Sequence, residues 1–149
     1  MKNVVICIGN RYNGDDAIGP YVADKLKQED LDEFLILDCS TVPENFTSLV
    51  KKNNPTNLII IDATDMGLPP GEMRRISKDM IGSMHVSTHN IPLSILVSYL
   101  EHYVKNVFII GIQPKNMDGS MGEEVKKSGD KLVELIKNKK FLEIKMLER

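Results

Sequence analysis

Two adjacent carboxylates, Asp15 and Asp16, stand between glycines in the stretch GNRYNGDDAIGP, just after an apolar run. A third, Asp62, follows the run LIII, and an imidazole, His89, lies in the loop VSTHN shortly before Pro92. Two carboxylates and one imidazole suit a divalent ion that accepts oxygen and nitrogen ligands, with geometry choosing among nickel, zinc, cadmium or manganese. The same carboxylates could activate a water as general bases. Each residue also has a plainer role. Asp15 or Asp16 can cap a helix, Asp62 can end a strand by bonding the next turn, and a histidine in a loop can be merely polar. Asp65 in ATDMG reads as a turn residue, and His85 and His102 read as polar loop residues. Met66, Met73, Met80 and Met84 read as packing around a loop.

The elements that would bring these groups together follow from the apolar periodicity. Asn3 to Ile8 (NVVICI) is a continuous apolar run closed by Gly9, the pattern of a parallel strand buried on both faces. Ile18, Tyr21, Val22 and Leu26 recur at helical spacing, predicting a first helix over 16–28. Phe34 to Leu37 predicts a second strand, Pro43 to Val50 a short helix stopped by Asn53, Asn54 and Pro55, and Leu58 to Ile61 a third strand ending at Asp62. Glu72 to Ile76 alternates weakly, as an edge strand does. Ser77 caps a helical turn running toward Met84. Pro92 opens a helix carrying Leu93, Leu96, Val97 and Leu100, with Asn90 as its cap. Val107 to Ile110 is a buried strand closed by Gly111, and Val125, Leu132, Leu135 and Ile136 outline the last helix. The tail from Lys139 fits no single pattern.

This alternation predicts a mainly parallel sheet with helices on both faces, joined by right-handed crossovers. In such sheets the ligand crevice lies outside the carboxyl ends of the strands, where strand order reverses. Asp15 and Asp16 follow strand one, Asp62 ends strand three, and the His89 loop precedes a helix starting on that edge, so the three converge if strands one and three are neighbours. Gly9 and Gly14 free the loop between them to bend, and Gly19 lets the first helix approach the sheet.

Composition narrows the class. The 149 residues fit one domain, 1–149, with 42% hydrophobic and 27% charged residues, values ordinary for a globular protein. Nineteen basic against twenty-one acidic side chains, net −2, leave no footprint for nucleic acid. Cys7 and Cys39 match no CxxC spacing, which argues against a zinc site or disulfide framework and for a reducing cytoplasm. The N-terminal MKNVVICIG is too short for a signal-peptide core, and no segment approaches the ~20 apolar residues of a membrane span. Dinucleotide, P-loop, GxSxG and HExxH fingerprints are missing. A phospho-receiver domain is the alternative from another class, with Asp15 and Asp16 as its acidic pair, Asp62 as phosphoacceptor, and Thr88 and Lys115 as accessory residues. Against it, a loop separates the acids from their strand, and Lys115 follows Pro114 rather than preceding a proline.

Taken together, CIGNRYNGDDAIGP, STVPEN, IIIDATDMGLPPGEMR, STHNIPL and IIGIQP resemble the hydrogenase maturation endopeptidases, in the branch that processes the large subunit of hydrogenase-3-like or related nickel-iron hydrogenases. The resemblance covers roughly residues 3–136. It implies a three-layer α/β/α sandwich of the phosphorylase/hydrolase-like kind, around a mostly parallel, twisted five-stranded sheet with one antiparallel edge strand. It also implies an endopeptidase that removes a C-terminal extension from the large-subunit precursor once nickel is inserted. Asp16, Asp62 and His89 would be its metal-site and catalytic residues, with Asp15, Asp65 and Gln113 as weaker candidates. Nickel would come with the substrate, and the protein is expected to be a monomer.

Overall fold

The computed structural model describes residues 2–82 and 91–148. Five strands form one sheet in the order β2-β1-β3-β5-β4, where β1 is Asn3–Ile8, β2 Phe34–Ser40, β3 Asn57–Ala63, β4 Met73–Ile76 and β5 Asn106–Ile112. Strand β1 pairs in parallel with both β2 and β3, and β3 pairs in parallel with β5. Strand β4 is antiparallel to β5 at the edge. The chain therefore moves outward from β1 to β2 and then crosses back to β3, which places the reversal of strand order between β1 and β3.

Alternation along the strands divides the core. Val5 and Cys7 face the helices α1 (Ile18–Glu29) and α5 (Glu123–Lys137), packing with Ile18, Val22, Leu132 and Ile136. Val4, Ile6 and Ile8 face the other layer, built on α2 (Thr47–Asn53), the single turn α3 (Lys78–Ile81) and α4 (Leu93–Leu100), with Val50, Ile81, Leu96 and Leu100. Both sheet faces are covered, as a parallel sheet requires. Close approach of α1 depends on Gly19, where a Cβ would lie 2.1 Å from the carbonyl oxygen of Ile8. Tyr21 on α1 donates its hydroxyl to Asp130 of α5 at 2.5 Å and fixes the two helices to each other.

Several elements differ from the sequence expectation. The expected first helix begins instead as a 3-10 turn, Gly14–Ala17, before α1. Strand β2 runs on through Asp38 and Cys39 to Ser40. Strand β3 does not stop at Asp62 but continues to Ala63, because Asp62 remains paired with Gly111 of β5. Strand β5 likewise passes through Gly111 to Ile112. The pairing partner overrides the local signal at both places. Ser77 caps α3 as expected, accepting from the N–H of Met80 at 3.3 Å, whereas Asn90 lies outside the described residues.

The tail has a defined place. After a 3-10 turn, Phe141–Glu143, it runs beside β4: Arg75 N–H donates to the carbonyl of Lys145, and Leu147 N–H to that of Arg75, both at 2.8 Å. The Arg75 guanidinium also donates to the carbonyl of Ile144 at 2.8 Å. An edge strand exposes backbone groups that invite pairing, and here the chain's own tail takes them.

An asparagine ladder crosses the opposite end of the sheet. Asn3, Asn57 and Asn106 open β1, β3 and β5 in register. The amide of Asn106 donates to the side-chain oxygen of Asn57 at 3.0 Å, that of Asn57 to Asn3 at 2.9 Å, and that of Asn3 to the carbonyl of Glu33 at 3.3 Å. Each buried run (NVVICI, NLIII, NVFII) begins with this residue, a signal present in the sequence. Asn57→Ala removes the middle rung and is expected to cost about 1–3 kcal/mol in urea unfolding. Activity should be unchanged, because the ladder lies at the amino ends of the strands.

Candidate active site

The loop leaving β1 holds Asp16 in place. Asn10 N–H donates to the Asp16 carboxylate at 2.9 Å, while the Asn10 side chain accepts from the N–H of Tyr12 at 2.8 Å. Arg11 ties the loop outward, donating to both carboxylate oxygens of Asp24 at 2.8 and 2.9 Å and to Asp38 at 2.6 Å. Those hydrogen bonds push the Arg11 guanidinium pKa up and hold Asp24 below the usual carboxylate range. Gly14 turns the chain at φ +55, and a Cβ there would meet the carbonyl oxygens of Asp118 and Asn116 at 2.5 and 2.7 Å. Glycine is required at that turn.

Asp15 and Asp16 are both buried, yet they do different things. The Asp15 carboxylate accepts from the N–H groups of Lys115 and Gly122, each at 2.7 Å, and of Asn116 at 3.0 Å. Backbone bonds from Gly14 to Gly119 and from Asp15 to Asn116 reinforce the junction. Burial alone would raise the Asp15 pKa, but the three backbone donors and Lys115 outweigh it and hold the carboxyl below its ordinary value. Asp15 makes no capping bond to its own turn or to α1, contrary to the cap reading. It bolts the loop after β1 to the loop between β5 and α5. The scarcity of aliphatic residues after Pro114 was the sequence's hint that the second loop needed an external anchor.

Asp62 has no exposed surface. By strand alternation it shares the face of Leu58 and Ile60, which pack toward α4. The 3-10 turn bearing Asp16 lies against β3, so the exits of β1 and β3 are adjacent. Asp16 and Asp62 are thus two buried carboxylates at the switch point of the sheet, on the edge where ligands bind in such folds. His89 and Thr88 lie outside the described residues, as do His85 and Met84. Among the described residues, no group of three histidine, cysteine or acidic side chains could hold a metal ion.

Asp65 and Gln113 belong to loop support. The Gln113 carbonyl accepts from the N–H groups of Met66 and Leu68 at 2.6 and 3.2 Å, and its amide donates to Asp65 and to the carbonyl of Pro114, each at 3.1 Å. Asp65 is exposed and also accepts from the N–H of Gly67 at 3.1 Å, a turn bond as expected for ATDMG. Cys7 and Cys39 are free and buried. Burial drives the Cys7 thiol pKa well up and lifts that of Cys39 to about 12, with Asp38 adding to it. Neither is a thiolate at neutral pH, so neither serves as a nucleophile.

A sequence model of the hydrogenase maturation proteases, HycI, matches residues 20–139. The chain belongs to the hydrogenase maturation protease family. The hydrogenase 3 maturation protease of Escherichia coli is 41% identical over 115 residues, 76% of this chain and 74% of that protein. The solution structure of the endopeptidase HycI from Escherichia coli superposes with a TM-score of 0.92 at 33% identity, covering 99% of this chain and 97% of that one. The crystal structure of the [NiFe] hydrogenase maturation protease HycI from Thermococcus kodakarensis gives 0.84 at 31% identity, covering 93% and 92%. Hydrogenase maturation proteases are endopeptidases, and the five-stranded sheet with its antiparallel strand is their fold. The all-parallel 2-1-3-4-5 order of receiver domains is not found here. Lys115, cast as an accessory residue in the receiver alternative, gives its backbone N–H to Asp15.

Proposed function

We propose that this endopeptidase removes the C-terminal extension of a nickel-iron hydrogenase large-subunit precursor after nickel insertion, acting as a monomer in the cytoplasm. The observation that carries this reading is the pair of buried carboxylates, Asp16 and Asp62, at the exits of adjacent parallel strands within a hydrogenase maturation protease fold. Two carboxylates, with His89 as third ligand, form an incomplete set of hard and borderline donors, which suits a nickel ion that arrives with ligands of its own. Nickel is then part of the substrate, and its recognition makes metal loading the signal for cleavage.

Bound nickel would supply Lewis acidity toward the scissile carbonyl or a water. The protein's contribution is orientation: the Asn10 N–H fixes one oxygen of Asp16, and the packed β3 fixes Asp62. In an aspartyl-type variant of this mechanism, one of the two carboxylates takes the proton of the attacking water.

Protein purified without added metal is expected to hold far less than stoichiometric nickel and to gain it only in complex with loaded precursor. Metal analysis of the free protein and of the complex checks this, and stoichiometric nickel in the free protein would contradict a substrate-borne metal.

A further inference from the structure

The loop between β1 and Asp16 carries a side chain that the chemistry above does not use. Tyr12 is 86% exposed, the most exposed large apolar side chain among the described residues. A lone surface tyrosine is ordinary, but the setting of this one is not. Tyr99 and Tyr103, also exposed, pack on each other with ring centroids 5.4 Å apart and share the Lys51 ammonium. Among the described residues the Tyr12 ring has no such ring or cation contact. Its backbone, by contrast, is fixed to the site. Tyr12 N–H donates to the Asn10 side chain at 2.8 Å, Asn10 N–H to the Asp16 carboxylate at 2.9 Å, and Asp16 N–H to the carbonyl of Asn13 at 3.0 Å. The neighbouring Arg11 is held by Asp24 and Asp38.

An aromatic ring on a loop held in this way loses little freedom on docking, and a tyrosine can bury about 150–250 Å². Asn10 alone separates the hydrogen bonds of Tyr12 and Asp16, so whatever binds at Asp16 comes within reach of the ring. The form of the ring says what kind of surface it meets. A peptide lying in the crevice between the exits of β1 and β3 is enclosed by the crevice walls, whereas Tyr12 stands out into solvent as a knob. A knob is buried by a recess, and a folded body offers one where an extended segment does not. We propose that Tyr12 is a specificity-determining anchor that inserts into an apolar recess on the folded body of the nickel-loaded precursor, not against its C-terminal extension. This rests on the endopeptidase reading above and names the part of the substrate that the rim of the site recognises.

The test measures Kd for nickel-loaded precursor, and separately its cleavage, with the wild-type protein, Tyr12→Ala, Tyr12→Phe and Tyr12→Trp. Loss of a buried aromatic anchor predicts that Tyr12→Ala raises Kd and KM about 10- to 100-fold, that the loss does not fall on kcat, and that Tm is kept. Tyr12→Phe and Tyr12→Trp should restore most of the affinity. The chain has no tryptophan of its own, so Tyr12→Trp labelled with 5-fluorotryptophan gives a single ¹⁹F signal. That signal should shift or broaden when folded, nickel-loaded precursor is added, and stay in place with a synthetic peptide of the C-terminal extension. Wild-type affinity in Tyr12→Ala, a loss confined to kcat, a lowered Tm, a loss in Tyr12→Phe equal to that in Tyr12→Ala, or a signal moved by the peptide would each overturn the proposal. Binding by wild type without cleavage would defeat the endopeptidase reading instead, and Tyr12 would then be judged on Kd and the ¹⁹F signal; no binding of any loaded precursor would overturn both.

Discussion

Asp16→Asn and Asp62→Asn are each expected to slow precursor processing by about 10²–10⁴-fold and to move the unfolding midpoint by less than about 5 °C. Asparagine keeps the volume of the carboxylate, and at position 16 its side-chain oxygen still accepts the N–H of Asn10. What it loses is the negative charge that a metal ion or a proton in transfer requires. Since Asp62 is fully buried, a substitution of equal volume keeps the packing around it, and thermal melts separate a loss of activity from unfolding. His89→Ala is expected to match them. Single-turnover cleavage assays beside thermal melts check the set, and parental rates in all three variants would refute the assignment.

Asp15→Ala is expected to lose about 3–5 kcal/mol of stability and most activity with it. Three N–H groups, from Lys115, Asn116 and Gly122, converge on one carboxylate and would be left without their acceptor. The loop bearing Asp16 would then be freed from the loop before α5. Asp15→Asn should lose less, since an amide offers one acceptor oxygen but turns an N–H toward one of the donors. The pH dependence follows from the lowered pKa of Asp15 in the fold. A depressed carboxyl pKa stabilises fully above the unfolded value, about 3.9, and the stabilisation is lost as pH falls through the lower folded value. The stability gap between wild type and Asp15→Asn should therefore be constant from neutral pH down to about 4 and shrink below it. A gap that widens in acid would contradict the anchoring role.

The central parallel strands β1 and β3 were legible because they are buried on both faces and so read as continuous apolar runs. Their ends were not. Asp62 and Gly111 look like terminators in isolation, but each is the other's partner across β3 and β5, and cross-strand pairing is invisible to a local pattern. The tail was opaque for the same reason: residues 144–147 are held by Arg75, about seventy positions away, rather than by any periodicity of their own. At the site, residue type showed where charge gathers, on Asp15, Asp16 and Asp62, but not what each carboxylate meets. Only the loop after Pro114 distinguishes Asp15, the anchor, from Asp16, held by Asn10 N–H at the crevice.

The central claim is tested most directly by incubating the protein with candidate large-subunit precursors, with and without nickel, and reading the new C-terminus by mass spectrometry. A single truncated product, formed only from nickel-loaded precursor and missing with Asp16→Asn, is the expected result. Equal cleavage of nickel-free precursor, or no cleavage of any loaded precursor, would contradict it.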